Sequence, residues 1–96
     1  MRESEIEARL VRGIREVGGL CYKFVSPGNP GVPDRLAVLP EGQIIFVELK
    51  TEVGRLANIQ KWQIAEMRKR GADVRVLKGL DAVQDFLVQM KGDGKT

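Results

Sequence analysis

The spacing of hydrophobic residues changes several times along this 96-residue chain, and each change predicts a different element. Residues 4–17 are predicted to form a helix, because apolar side chains recur there at helical spacing until two glycines end the pattern. Three short apolar runs then predict strands, which cover Leu20–Val25, Arg35–Leu39 and Gln43–Lys50. The turn Pro40-Glu41-Gly42 joins the last two of these strands into a hairpin.

The second half of the chain predicts two further helices with a strand between them. The second helix is expected to begin at Leu56 or Asn58 and to end at Arg70. The strand and the last helix are predicted at Asp73–Leu77 and Asp81–Met90, followed by a frayed tail over residues 91–96. The order α-β-β-β-α-β-α predicts one α/β domain over residues 1–96, with a mixed central sheet flanked by helices. Because both faces of the hairpin strands are apolar, we expect helices to cover both.

The hairpin turn fixes which residues of its two strands face each other. A three-residue hairpin loop usually carries its left-handed residue last, and Gly42 adopts that conformation without strain. Counting back from the turn places Asp34 directly opposite Glu48. Lys50 lies two residues beyond Glu48 and therefore points to the same face. The sequence thus predicts three charged side chains at one end of an apolar face.

Two facing carboxylates repel each other unless a cation lies between them. Mg²⁺ suits the position, because one or two carboxylates commonly hold it, with waters and phosphate oxygens completing its shell. Such an ion activates water and neutralises charge on phosphate, and Lys50 could hold the attacking water or steady the phosphate. The alternative is a structural ion pair between the lysine and an acid at the end of the sheet.

Composition limits the chemistry that is available. The chain has no histidine and one cysteine, Cys21, which excludes imidazole-based catalysis and a structural zinc site. Its 43% hydrophobic and 30% charged residues are typical of globular proteins. No apolar run approaches the length of a membrane span, and the segment MRESEIEARL is too polar for a secretory signal. We therefore expect a cytoplasmic protein without a membrane partner.

The net charge of +3 is weak evidence for a nucleic-acid partner, but the distribution of charge is more informative. The stretch from Arg55 to Lys78 contains seven basic residues, its two ends included, and only two acidic ones, Glu66 and Asp73. This stretch is either a DNA-binding surface or a solvated helix face.

Several motifs together resemble one nuclease family. These motifs are GVPDR (residues 31–35), VELK (47–50), RLANIQKWQ (55–63) and RGADVRVL (70–77). They closely resemble the VRR-NUC family of virus-type replication-repair nucleases, within the PD-(D/E)XK nuclease superfamily. The similarity extends from the first helix to about Leu80, and the leading G-x-P-D and the G-A-x-V strand make it fairly specific.

The resemblance implies a restriction-endonuclease-like core and a metal-dependent nuclease. Asp34 and Glu48 would ligate Mg²⁺, for which Mn²⁺ could substitute, with help from the backbone carbonyl of Leu49. Lys50 would be the catalytic lysine. Glu7 matches the family's helical acid, which approaches the metal site, often through water.

Other matched positions have structural alternatives. Glu7 has the spacing of a capping box with Ser4. Gln60 matches a glutamine of the family site, but it could instead bond a nearby loop. Arg35 could contact phosphate or pair with an acid, and Trp62 is expected in the core rather than as a platform for bases.

The leading hypothesis is a divalent-metal-dependent DNA endonuclease. Small stand-alone members of the family, of the phage type, resemble Holliday-junction resolvases that act as homodimers. We therefore expect a homodimer that cuts branched or four-way DNA in the host cytoplasm, with a dimer surface on the first or last helix. The residues expected to contact DNA are Arg35, Arg55, Lys61, Arg68 and Lys69. The alternatives are a non-catalytic DNA-binding or assembly module and a nuclease subunit of a restriction or helicase complex.

Overall fold

The computed structural model describes residues 1–93. Its elements are α1 (Glu3–Glu16), β1 (Leu20–Lys23), β2 (Arg35–Val38), β3 (Ile44–Lys50), α2 (Asn58–Lys69), β4 (Val74–Lys78) and α3 (Gly79–Asp93). A single 3₁₀ turn, Pro40–Gly42, joins β2 to β3. The predicted α/β class and the order of helices and strands are confirmed.

The four strands form one mixed sheet in the order β1-β2-β3-β4. The first two pairings are antiparallel and the third is parallel, as expected for a strand that follows a crossover helix. In the hairpin, Arg35 pairs with Val47, and the amide of Leu39 donates to the carbonyl of Gln43 at 2.7 Å. The predicted hairpin register is therefore confirmed. Gly42 has the expected positive φ of 80°.

The ends of two helices differ from the prediction. The capping box of Ser4 and Glu7 is absent, because α1 begins at Glu3, where the Glu5 carboxylate accepts from the Arg2 amide at 3.3 Å. Helix α3 begins at residue 79 and continues through residue 93, so residues 91–93 are helical where a frayed tail was predicted. The buried side chain of Met90 anchors this last part of the helix. The rest of the predicted tail, residues 94–96, lies outside the described residues.

One face of the sheet forms the hydrophobic core beneath α1 and α3. The residues that alternate along β2 and β3 toward this face are fully or almost fully buried, and they pack on apolar side chains of both helices. The members of this core are Ile6, Leu10, Ile14, Ala37, Leu39, Ile45, Val47, Leu49, Leu77, Val83, Phe86, Leu87 and Met90. In residues 1–93, no helix has both the length and the apolar character needed to cross a membrane.

Helices flank the sheet on both sides, as predicted, but the opposite face is covered only in part. Helix α2 packs near β4, where Ile64 and Val74 are buried. Apart from the contact of α2 with Glu48 on β3, the other strands are left largely uncovered, because α2 is the only helix on this side within residues 1–93. Leu20, Tyr22 and Ile44 are each 51% or 52% exposed there.

The loop before β2 is fixed against the start of α2. The side-chain amide of Gln63 donates to the carbonyl of Pro30 at 3.2 Å. Gly31 has a φ of 90°, and a Cβ atom at this position would lie 2.8 Å from the carbonyl oxygen of Ile59. Glycine therefore meets two requirements here, a left-handed backbone and a close approach to another backbone. These contacts determine the path of the chain into the buried Pro33.

Gly31→Ala is expected to lower the free energy of unfolding by more than Gly28→Ala. Both positions have positive φ, so each alanine should cost about 1–2 kcal/mol in backbone strain. Only residue 31 also meets a backbone atom, since the space around Gly28 is open within 4 Å. Urea unfolding of both variants would measure the difference, and equal losses would contradict the docking of this loop.

Candidate functional site

The pairing of β2 with β3 brings two acids to one end of the sheet. The register described for Arg35 and Val47, continued by one residue, places Asp34 opposite Glu48. Glu48 lies on the face away from α1, and the negative charge of Asp34 acts on its carboxyl. The structure therefore brings together the two predicted carboxylates.

Glu48 is the one buried charged residue among residues 1–93, with 1% of its surface exposed. Burial, and after it the charge of Asp34, raise its pKa from 4.5 to about 7. The ammonium of Lys50 and the backbone N–H of Asp34 act in the opposite direction. One carboxylate oxygen, Oε1, is buried without a hydrogen-bond partner. An orphaned acceptor of this kind is unfavourable unless a cation or donor reaches it.

Lys50 lies beside this carboxylate. Its Nζ is 3.6 Å from Oε2 of Glu48, and its side chain is 19% exposed. The lysine therefore contacts the acid on one side and retains a path to solvent on the other. The ion pair exists, as the structural alternative required, but it engages only one of the two carboxylate oxygens.

Gln60 holds the same carboxylate oxygen from the first turn of α2. Its Nε2 donates to Oε2 of Glu48 at 3.1 Å, and its Oε1 accepts from the amide of Ala57 at 2.8 Å. The second contact caps a helix whose N-cap alanine has no side-chain acceptor. Gln60 therefore fixes the helix to the sheet and orients Glu48.

Glu7 and Arg35 form a separate pair on the other side of the sheet end. The guanidinium of Arg35 approaches both carboxylate oxygens of Glu7, each at 3.3 Å. Of the two alternatives for Arg35, pairing with an acid is the one observed, and a role for Glu7 in metal binding through water stays a prediction. Glu7 and Asp34 nevertheless line one surface pocket of about 260 Å³, which gives Asp34 access to solvent.

The backbone at this end of the sheet leaves a carbonyl group available. The hairpin register, continued by two residues, places Leu49 opposite Pro33. In an antiparallel pair of this kind, the residue opposite would donate its N–H to the carbonyl of Leu49. Proline has no N–H, so this strand pairing cannot satisfy the carbonyl. Pro33 is a residue whose role the sequence analysis missed, although its position before Asp34 was visible.

These groups fit a small hard cation. Residues 1–93 contain no cluster of three or more acids, histidines or cysteines arranged to hold a metal. Mg²⁺ does not need one, because it commonly retains several waters and takes only one or two carboxylates. The orphaned oxygen of Glu48, the carboxylate of the adjacent Asp34 and the backbone carbonyl of Leu49 are all oxygen ligands, which Mg²⁺ and Mn²⁺ prefer.

The predicted DNA-contacting residues divide into two groups. Arg35 is paired with Glu7, Arg68 donates to the carbonyl of Val74 at 2.6 and 3.1 Å, and Lys69 lies 3.7 Å from a Glu66 oxygen. Arg55 and Lys61 are exposed and line one pocket together with Lys78. The sequence analysis did not single out Lys78, because the register between β3 and β4 cannot be read from the sequence.

Trp62 was expected in the core and lies at the surface instead, with 57% of its area exposed. The buried side of α2 is narrow, because only Ile64 of this helix is fully enclosed. The tryptophan lies two residues earlier in the helix and therefore points away from the sheet.

The chain is similar in sequence to known proteins. The sequence model of the VRR-NUC domain matches residues 3–81. The protein "Putative nuclease p44" of Acyrthosiphon pisum secondary endosymbiont phage 1 is 47% identical over 81 residues, which cover 84% of this chain and 87% of that protein.

Two solved structures share the fold. One, named "VRR_NUC domain", superposes with a TM-score of 0.84 at 34% identity and covers 91% of this chain and 94% of its own. The other, a "VRR_NUC domain protein", has a TM-score of 0.73 at 16% identity, covers 94% of this chain and 88% of its own, and supports the fold alone. The family match over most of the chain confirms the resemblance seen in the motifs, and this protein therefore belongs to the VRR-NUC family of nucleases.

Proposed function

We propose that this protein is a divalent-metal-dependent endonuclease that hydrolyses phosphodiester bonds in DNA. The observation that carries the proposal is the buried Glu48 carboxylate, which has one orphaned oxygen and lies beside both Asp34 and Lys50. A purely structural ion pair would leave neither a second acid nor an unsatisfied oxygen at the same point. Family membership supports the same reaction class.

Each side chain has a distinct task in this proposal. Asp34, Glu48 and the carbonyl of Leu49 would hold Mg²⁺, or Mn²⁺ in its place. When bound, the cation supplies a water of lowered pKa and neutralises charge that builds on the phosphate. Lys50 has an ammonium group next to the carboxylates, where it can donate to a phosphate oxygen or to the attacking water. Gln60 keeps Glu48 oriented by its hydrogen bond.

Lys50→Ala is expected to abolish DNA cleavage while DNA binding persists. Loss of one preorganised donor to the transition state typically lowers kcat by about 10²–10³-fold. The assay is Mg²⁺-dependent cleavage of labelled DNA, with binding measured separately by anisotropy. Lys91→Ala is the matched control, because it removes an exposed lysine of α3 that is not among the predicted DNA contacts. Cleavage by Lys50→Ala at the wild-type rate would exclude Lys50 from the reaction, and binding without cleavage by the wild type would favour the non-catalytic alternative.

The raised pKa of Glu48 predicts an unusual pH dependence of stability. The folded protein holds this proton more tightly than the unfolded chain, so stability falls as pH rises from 4.5 to about 7 and then levels. At about 1.4 kcal/mol per pKa unit, the fall is on the order of 3 kcal/mol. Glu48→Gln removes the titrating group and with it this fall in stability. The variant should therefore be more stable than the wild type above about pH 7 and equally stable below about pH 4.

Urea unfolding of both proteins across this pH range would measure the effect. Mg²⁺ or Mn²⁺ at alkaline pH should raise the Tm of the wild type, because binding only to the folded state is stabilising. The same ions should leave the Tm of Glu48→Gln unchanged. An equal metal response in the two proteins would exclude Glu48 as a ligand.

We further propose that two copies associate through the open sheet face, defined as Leu20, Tyr22, Leu36, Val38 and Ile44. These side chains are neighbours across β1, β2 and β3 and point away from the core. Along these strands the face carries charge only at the end with the site. An apolar patch without charge suits a second copy, because a two-fold interface must be complementary to itself. A surface that binds DNA would instead require basic side chains to neutralise the phosphates.

The open sheet face replaces the dimer surface that the sequence suggested. Helices α1 and α3 bury most of their apolar residues in the core. A dimer through the sheet would carry two sites related by a two-fold axis, which matches the symmetry of a four-way DNA junction. We therefore propose branched DNA as the substrate.

Ile44→Glu is expected to convert a dimer into a monomer. A carboxylate on this face would be desolvated opposite its own copy. Sedimentation would measure the mass, and loss of paired incisions on a four-way junction would accompany dissociation. Val88→Glu is the control, because Val88 is an apolar residue on α3 that is 72% exposed. A dimer that survives Ile44→Glu but not Val88→Glu would place the interface on the helices.

A further inference from the structure

We propose that Arg55, Lys61 and Lys78 form a subsite for a DNA phosphate that is not cleaved. This inference rests on the proposed nuclease function and adds the path that one DNA strand takes from the site. The three side chains line a surface pocket of about 280 Å³, whose other lining residues are Leu56 and Val76. We call this pocket the basic cleft.

The basic cleft lies directly beside the candidate active site. In the parallel pairing of β3 with β4, Glu48 is the partner of Val76, and Lys50 is the partner of Lys78. Paired residues of adjacent strands point to the same face, and the strands are about 4.8 Å apart. The cleft therefore begins one strand away from the carboxylates, on the same face of the sheet. A DNA strand with its scissile phosphate at Lys50 can extend over β4 into this cleft.

The three cations of the cleft are available for a ligand. All three are exposed, and within residues 1–93 none forms an ion pair or a side-chain hydrogen bond. Glu52, in the loop after β3, packs against Gly79 and forms no ion pair with Lys78 within residues 1–93. Three cations held close together repel one another, and a phosphate would relieve that repulsion.

Other bases nearby are already engaged by the protein itself. On the far half of α2, Lys69 and Arg70 both lie within 4 Å of a Glu66 oxygen, and Arg68 bonds the backbone of β4. These contacts neutralise or fix that end of the helix. The start of α2, where Lys61 lies, instead has the positive end of the helix dipole. Charge and geometry therefore both favour an anion at the cleft.

The ligand is identified as a backbone phosphate rather than a base. The cleft offers cations on aliphatic stems and two apolar side chains, but no aromatic side chain for stacking. Cations that contact phosphate position the nucleic acid without reading its sequence. The cleft is therefore expected to set where the scissile bond lies and to be indifferent to sequence.

A matched pair of triple variants tests this assignment. The cleft variant is Arg55→Ala, Lys61→Ala and Lys78→Ala, and the control is Arg12→Ala, Arg15→Ala and Lys91→Ala. Each removes three exposed bases and lowers the net charge from +3 to 0. Binding of a fluorescein-labelled four-way junction and a linear duplex would be followed by anisotropy in EDTA over a range of KCl concentrations. Thermal unfolding of both variants verifies the fold.

The cleft variant should bind DNA more weakly than the control. The slope of log K against log[KCl] is negative, and its magnitude should be smaller by roughly 2–3 in the cleft variant. With metal present, its KM should rise about tenfold while kcat changes far less, since these residues do not contact the reacting atoms. Equal binding by the two variants would overturn the cleft. Because the binding assay contains no metal, it remains decisive even if the wild type cleaves no DNA, an outcome that would refute only the nuclease proposal.

Discussion

The central constraint in this protein is the enforced proximity of two carboxylates. The hairpin register allows Asp34 no position other than opposite Glu48, and the surrounding apolar residues withhold water from the second acid. Repulsion and desolvation together raise the pKa of Glu48 to about 7. Lys50 and Gln60 both contact Oε2 of this carboxylate, and Oε1 is left without a hydrogen-bond partner. The site is thus incompletely satisfied by the protein, and a hard cation is the ligand that would complete it.

One face of the sheet contributes mainly to stability, and the other contains the candidate site. The face beneath α1 and α3 contains the continuous hydrophobic core. The other face has one helix, a half-covered apolar surface and all the groups of the candidate site. Because α2 is joined to the sheet by Gln60 and to the preceding loop by Gln63 and Gly31, a small number of contacts determines the geometry of the site.

Local rules recovered the parts of the site that depend on local geometry. Gly42 determines the hairpin register, and the register places Asp34 opposite Glu48. The relative position of the two acids could therefore be predicted from a single turn. The capping box of Ser4 and Glu7 was wrong because spacing alone cannot show that Arg35 lies within reach of Glu7. Trp62 and Lys78 depend on how α2 and β4 meet the sheet, which is a long-range arrangement. No pattern in one sequence specifies the register of a parallel strand that follows a helix.

The most direct test of the account is a crystal structure of the protein soaked with Mn²⁺, with the ion located by its anomalous scattering. The account predicts one or two peaks between the carboxylates of Asp34 and Glu48, within about 2.3 Å of both, and beside the carbonyl of Leu49. An ion bound only elsewhere, or none at concentrations that occupy other oxygen sites, would contradict it. In that case the burial of Glu48 would be a feature of folding alone.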